Sequence, residues 1–100
     1  MYSTPIMGSG EHAKRLRKES GKWLKSLRER AELTQNDVAN AVGYEYYTMI
    51  SQIESGKGRV APDKYLSYAQ ALKVNPQWFM RNLLKFYDPF CYELLFGPPE

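Results

Sequence analysis

Tyr47, Thr48, Ser51, Gln52 and Ser55 recur at a spacing that puts them on one side of a short helix. Tyr46, Met49, Ile50 and Ile53 fall at i, i+3, i+4 and i+7 on the other side. The polar set suits hydrogen-bond readout and offers no bond-making chemistry. A glutamine amide presents a donor beside an acceptor, which matches the major-groove edge of adenine. A threonine methyl or a tyrosine ring packs on a thymine methyl, and serine and tyrosine hydroxyls bond phosphate oxygens. Cations are missing from this segment until Lys57 and Arg59 in the loop GKGR. Affinity for a phosphate backbone would have to come from those two and from a second basic group near the N-terminus.

Other chemistries find no support. His12 is isolated, and no His, Cys and carboxylate cluster has metal-ligand spacing. No glycine-rich phosphate loop follows a strand, and no acid–base pair or activated nucleophile is evident. Cys91 is the single cysteine, so an intrachain disulfide is impossible and a reducing cytoplasm is expected. No catalytic residue, metal or cofactor is assigned, and an enzyme is not expected.

The chain has 100 residues, 43% hydrophobic and 25% charged, with a net charge of +3. That is one domain's worth of sequence. From Met1 to Leu33, eight basic residues (Lys14, Arg15, Arg17, Lys18, Lys22, Lys25, Arg28, Arg30) face four acidic ones (Glu11, Glu19, Glu29, Glu32). The positive charge therefore sits at the N-terminal end, where it serves either as a solvated face or as an attraction for an anionic partner. No apolar run approaches a membrane span, and the N-terminus lacks the charged head and apolar core of a signal peptide.

Every segment around the polar set reads as a helix. The first helix is expected over Gly21–Glu32, with Ser20 as N-cap and Trp23, Leu24, Leu27 and Ala31 on its apolar face. Residues 14 to 18 either extend it backwards or stay loose, and Gly21 weakens the continuous version by about 1 kcal/mol relative to alanine. Thr34 caps a second helix, with Asp37 three residues on as a near capping box, Val38, Ala39 and Val42 inward, and Gly43 at its end. The third runs from about Tyr46 to Ser55 and closes at Gly56. The fourth opens at Pro62 with Tyr65, Leu66, Ala69 and Leu72 inward. Asn75–Pro76 starts a fifth that reaches Tyr87, and Asp88–Pro89 starts a sixth that reaches Gly97. The expected organisation is a flexible basic arm over 1–20, a domain over 21–87, and an apolar helix and tail over 88–100.

The second and third helices, joined by a tight turn at Gly43, form a helix-turn-helix. Ala39 must be small where the two helices cross, Gly43 must turn without a β-carbon, and Ile50 and Ile53 must anchor the outer helix. "LRERAELTQNDVANAVG" followed by "ISQIESGK" resembles the Xre family, the helix-turn-helix domain of Cro and the lambdoid phage repressors. The resemblance covers about Lys22 to Trp78. It implies an all-α, five-helix lambda-repressor-like domain, here with an additional short C-terminal helix. One departure stands out: Gly43 to Ile50 is one residue longer than the commonest spacing.

The resemblance also implies roles by position. Arg28 and Glu54 would form a structural ion pair between the first helix and the end of the recognition helix. Tyr47, Thr48, Ser51 and Gln52 would read bases. Gln35, Ser55, Lys57 and Arg59 would meet the DNA backbone. Of the neighbouring tyrosines, Tyr46 is expected in the core and Tyr44 as a plug behind the turn. Glu45 is open between steadying a helix N-terminus, accepting from cytosine and opposing wrong placements.

The region beyond Asn75 is apolar over a wide arc, and something must cover it: the sixth helix, another chain, or both. Trp78, Leu84, Tyr87, Phe90, Leu94 and Phe96 are the expected two-fold interface. The functional expectation is a sequence-specific DNA-binding regulator of prokaryotic type, cytoplasmic and nucleoid-associated. It would bind inverted repeats in double-stranded DNA as a homodimer, with repression the expected sign because blocking a promoter needs no further surface. The alternative is an antitoxin-like or adaptor module that binds a protein partner through the C-terminal aromatics.

Overall fold

The computed structural model describes residues 10–98, which form six α-helices and one 3₁₀ turn. They are α1 (Gly10–Arg30), α2 (Gln35–Val42), α3 (Thr48–Ser55), a 3₁₀ turn (Pro62–Lys64), α4 (Tyr65–Ala71), α5 (Pro76–Tyr87) and α6 (Pro89–Phe96). No strand occurs among the described residues. The part of the expected arm before Gly10 lies outside them.

The first helix differs most from the sequence expectation. It runs unbroken from Gly10, so Ser20 is not a cap. Its hydroxyl is buried in mid-helix and donates to the Arg17 carbonyl at 2.7 Å. Gly21 does not interrupt the helix because it sits at the crossing of α1 with α3. A β-carbon there would collide with the Glu54 carbonyl oxygen and stand 2.8 Å from that of Ile53. The helix thereby approaches α3 backbone to backbone, and this contact offsets the propensity cost of about 1 kcal/mol.

Leu24 and Leu27 of α1, Val38, Ala39 and Val42 of α2, Ile50 and Ile53 of α3, Val60, and Phe79 and Leu83 of α5 are buried in one core. Tyr68 and Ala69 of α4, and Leu72 at its C-cap, complete it. Two expectations are corrected here. Leu66 points outward at 56% exposure, and Tyr68 takes the inward place. The α4 face is 65, 68, 69 and 72, a full i, i+3, i+4, i+7 set that includes Tyr65 and excludes Leu66. Tyr46, expected in the core, is 64% exposed. The helix begins only at Thr48, so its phase does not extend back to Tyr46. Met49 on the same predicted face is also exposed, leaving Ile50 and Ile53 as the buried pair.

α5 and α6 start where the Asn–Pro and Asp–Pro pairs place them. The Asn75 side chain accepts from the Trp78 amide at 2.9 Å, and Asp88 accepts from the Cys91 amide at 3.0 Å. Trp23 joins α1 to α5 through rings 5.7 Å from Trp78 and Phe79 and 5.9 Å from Phe86. α6 packs chiefly on α5.

Candidate nucleic-acid interface

α2 is held at both ends by local chemistry. Thr34 Oγ1 accepts from the Asp37 amide at 3.0 Å, and Asp37 Oδ2 accepts from the Thr34 amide at 2.8 Å. This reciprocal capping box satisfies two otherwise free amides. The bond from the Thr34 amide, aided by its hydroxyl, holds the Asp37 carboxyl below the usual carboxylate range. At the other end Gly43 takes φ 96°, and the amides of Gly43 and Tyr44 both donate to the Ala39 carbonyl at 2.9 Å. Lys64 adds a tie that the sequence did not suggest. Its ammonium donates to the Val42 carbonyl at 3.3 Å and lies 5.6 Å from the Tyr44 ring. Tyr44 is half-buried against the core, and burial raises its phenol pKa.

Five residues, 43–47, then lead into α3. Glu45 and Tyr46 bend in this turn, and both are exposed. Tyr47 occupies the N-cap position in αR geometry without a side-chain cap bond. Tyr47, Thr48 and Gln52 are exposed and Ser51 is half-buried. Tyr46 and Met49 stand beside them, exposed, although the helical period places both inward. The signal that could have found Tyr46 is the long turn itself, which delays the start of the helix.

The inner side of α3 is fixed by a charged network. Arg28 Nε and Nη2 donate to the two Glu54 oxygens at 2.7 and 3.0 Å, and Nη1 donates to the Leu33 carbonyl at 2.9 Å. Glu54 is only 8% exposed. The bidentate pair raises the Arg28 pKa, so the guanidinium stays charged. Gln35 Nε2 donates to Glu54 Oε1 at 3.0 Å. The Gln35 side chain is therefore engaged in positioning α2 against α3, and what it presents at the α2 N-terminus is its backbone amide.

The loop after α3 folds back on its own helix. Gly56 takes φ 86°, and the amides of Lys57 and Gly58 donate to the Gln52 carbonyl at 2.9 and 3.0 Å. The Ser55 hydroxyl donates to the same carbonyl at 3.0 Å. Lys57 is exposed. Arg59 is more constrained: its guanidinium lies 4.2 Å from the centre of the Tyr87 ring and donates to the Tyr65 hydroxyl at 3.3 Å. A β-carbon on Gly56 would meet Lys18 backbone atoms at 2.9 to 3.0 Å. The N-terminal half of α1 thus runs against this loop and brings Arg17 and Lys18 to the same end of the molecule as Lys57 and Arg59.

The six C-terminal candidates separate. Trp78, Phe90, Leu94 and Phe96 are exposed, Leu94 to 88%, and Leu84 is half-buried. Tyr87 faces its own core, where its hydroxyl accepts from the Val60 amide at 3.0 Å and burial raises its pKa. Arg81 lies over the Phe96 ring at 4.6 Å, and Leu95 is a further exposed apolar side chain.

Among the described residues no group of three or more His, Cys, Asp or Glu could hold a metal ion, and no helix is long and apolar enough to cross a membrane. A helix-turn-helix family model matches residues 24–79, more than half of the chain. No curated protein matches it.

Proposed function

The chain belongs to the helix-turn-helix family of Cro and the lambdoid phage repressors, and from that premise we propose that this DNA-binding transcription regulator is a dimeric repressor of inverted-repeat operators. The family is a DNA-binding regulatory one, not an enzyme family. The observation that carries the finer reading is the division of α3 into two sides. Ile50, Ile53 and the Arg28–Glu54–Gln35 network hold one side rigidly, and Tyr47, Thr48, Ser51 and Gln52 are left on the other. Such a helix enters the major groove with its N-terminal residues on base edges.

In this reading Gln52 makes the two-pronged contact to adenine, and Thr48 and Tyr47 supply methyl and ring contacts. Tyr46 joins them as a hydroxyl donor to phosphate. Lys57, Ser55, Arg59 and the α2 N-terminus hold the backbone. Two copies related by a two-fold axis place their α3 helices about 34 Å apart, one helical turn of DNA. Trp78, Phe90, Leu94 and Phe96, with Leu95, form the surface where the copies meet.

Selection of bound sequences from a random pool tests this directly. Two inverted half-sites, centred one helical turn apart, are expected. A pool that stays random after selection would sink base reading, and enrichment of a lone half-site would sink the dimer. The exposure of Leu94 and Leu95 also suits a second reading, an adaptor whose α6 binds another protein. In that case sequence enrichment is absent while a partner copurifies through α6.

A further inference from the structure

A cavity of about 380 Å³ lies between the N-terminal half of α1 and the corner where α5 meets α6. Its size falls within the range of small-molecule sites. Leu16 of α1, Phe86 of α5 and Phe90 of α6 supply apolar and aromatic wall. Two arginines line it from different elements, Arg17 from α1 and Arg59 from the loop that follows α3. Neither forms an ion pair among the described residues. Asp88 and Glu93 line the α6 side. The Asp88 carboxylate is committed to the Cys91 amide, whereas Glu93 has no hydrogen-bond partner for its side chain among the described residues.

An apolar slot whose two arginines have no ion-pair partner among the described residues, with the carboxylates of Asp88 and Glu93 on its α6 side, suits an amphiphile that carries an anion at one end and a hydrogen-bond donor at the other. We propose that this cavity binds a small aromatic carboxylate bearing a hydrogen-bond donor. The carboxylate takes Arg17 and Arg59 as charge-assisted partners. The ring lies among Leu16, Phe86 and Phe90, and the donor is accepted by Glu93. Arg59 makes the site regulatory: a guanidinium holding a bound carboxylate is withdrawn from a DNA phosphate. Acid and DNA then weaken each other by the same factor. This coupling rests on the reading of Arg59 as a backbone contact; the binding of the acid does not.

Calorimetric titration of the full chain, without DNA, uses three matched probes: 4-hydroxybenzoate, benzoate and the methyl ester of 4-hydroxybenzoate. The hydroxy acid should bind with a dissociation constant below about 1 mM, benzoate more weakly, and the neutral ester not at all. Ala13→Phe fills the cavity from its α1 wall and should abolish binding while DNA affinity is kept. Arg17→Gln should weaken the acid at least tenfold. The absence of heat with every acid overturns the proposal, as does equal binding of the ester or undiminished binding to a folded Ala13→Phe.

Anisotropy with the selected operator then reads the coupling. Saturating 4-hydroxybenzoate should lower DNA affinity about fivefold in the natural chain and leave it unchanged in Ala13→Phe. An acid that binds without this effect overturns the shared use of Arg59. A chain that binds the acid but no operator separates failure of the DNA reading from failure of the cavity.

Discussion

Gln52 and Lys57 are separated by a single glycine-closed turn, yet the DNA contacts proposed for them rest on different physics. A glutamine amide discriminates because its donor and acceptor fit one base edge, whereas an ammonium attracts every phosphate alike. Gln52→Ala should therefore relax the selected consensus at one position by about 1–3 kcal/mol with little change in melting temperature. An unchanged consensus rejects the base-reading role. Lys57→Ala should weaken all sequences together and reduce the slope of log affinity against log salt by about 1. A loss confined to some sequences counts against a pure backbone role. Tyr46 belongs beside them because it stands outside the core. An interior tyrosine cut to alanine would cost about 3–5 kcal/mol of stability, as for other large aromatics. At 64% exposure, Tyr46→Ala should shift the melting temperature by no more than a few degrees and lower operator affinity instead. A large thermal shift returns Tyr46 to the core.

The elements show where local signals suffice and where they do not. Three of the helix starts are written in their caps: Thr34 with Asp37, Asn75 with Pro76, and Asp88 with Pro89. These need only neighbours in sequence, so they are legible without a fold. α1 is the opposite case. Ser20 and Gly21 resemble a helix boundary, and only α3 lying across them explains why the helix continues. Gly21→Ala exposes this most sharply. On propensity alone it would stabilise α1 by about 1 kcal/mol, but its β-carbon meets the Glu54 and Ile53 carbonyls. Overpacking of this kind costs about 1–3 kcal/mol. The net expectation is a lower denaturation midpoint and weaker DNA binding as α3 is pushed outward. A midpoint that rises would mean the crossing is looser than described. α4 teaches a smaller lesson. Tyr65, Leu66, Tyr68, Ala69 and Leu72 contain two overlapping periodic sets, and the choice fell to the space available beside Phe79. The Tyr68 and Phe79 rings stack there with centroids 5.9 Å apart.

At the scale of the whole molecule, the apolar surplus beyond Asn75 divides. Phe79 and Leu83 enter the core, Trp78 and Phe86 gather around Trp23, and Leu94 and Leu95 face solvent. Phe90, Leu94, Leu95 and Phe96 are the exposed apolar side chains of α6, and they carry the proposed contact between two copies. Because α6 packs chiefly on α5, a change on its outer face should leave the domain folded. Leu94→Glu, and separately truncation after Tyr87, should halve the mass seen in sedimentation while the circular dichroism of the remaining helices persists. A dimer that survives both changes places the two-fold contact elsewhere.

The helical class, the capped starts of α2, α5 and α6, the Gly43 turn and the family to which the chain belongs are all legible in the amino-acid sequence. Each of these rests on contacts between residues a few positions apart or on a motif read in order. The tertiary structure decided what depends on elements distant in sequence: that α1 continues through Gly21, that Gln35 joins Arg28 on Glu54, and that Tyr46 turns outward while Tyr68 turns in. It also decided that Arg59 rests on Tyr87 and lines a cavity between α1 and the corner of α5 and α6. Burial and pairing at these positions are set by which backbone arrives opposite, and a periodic pattern carries no record of that partner.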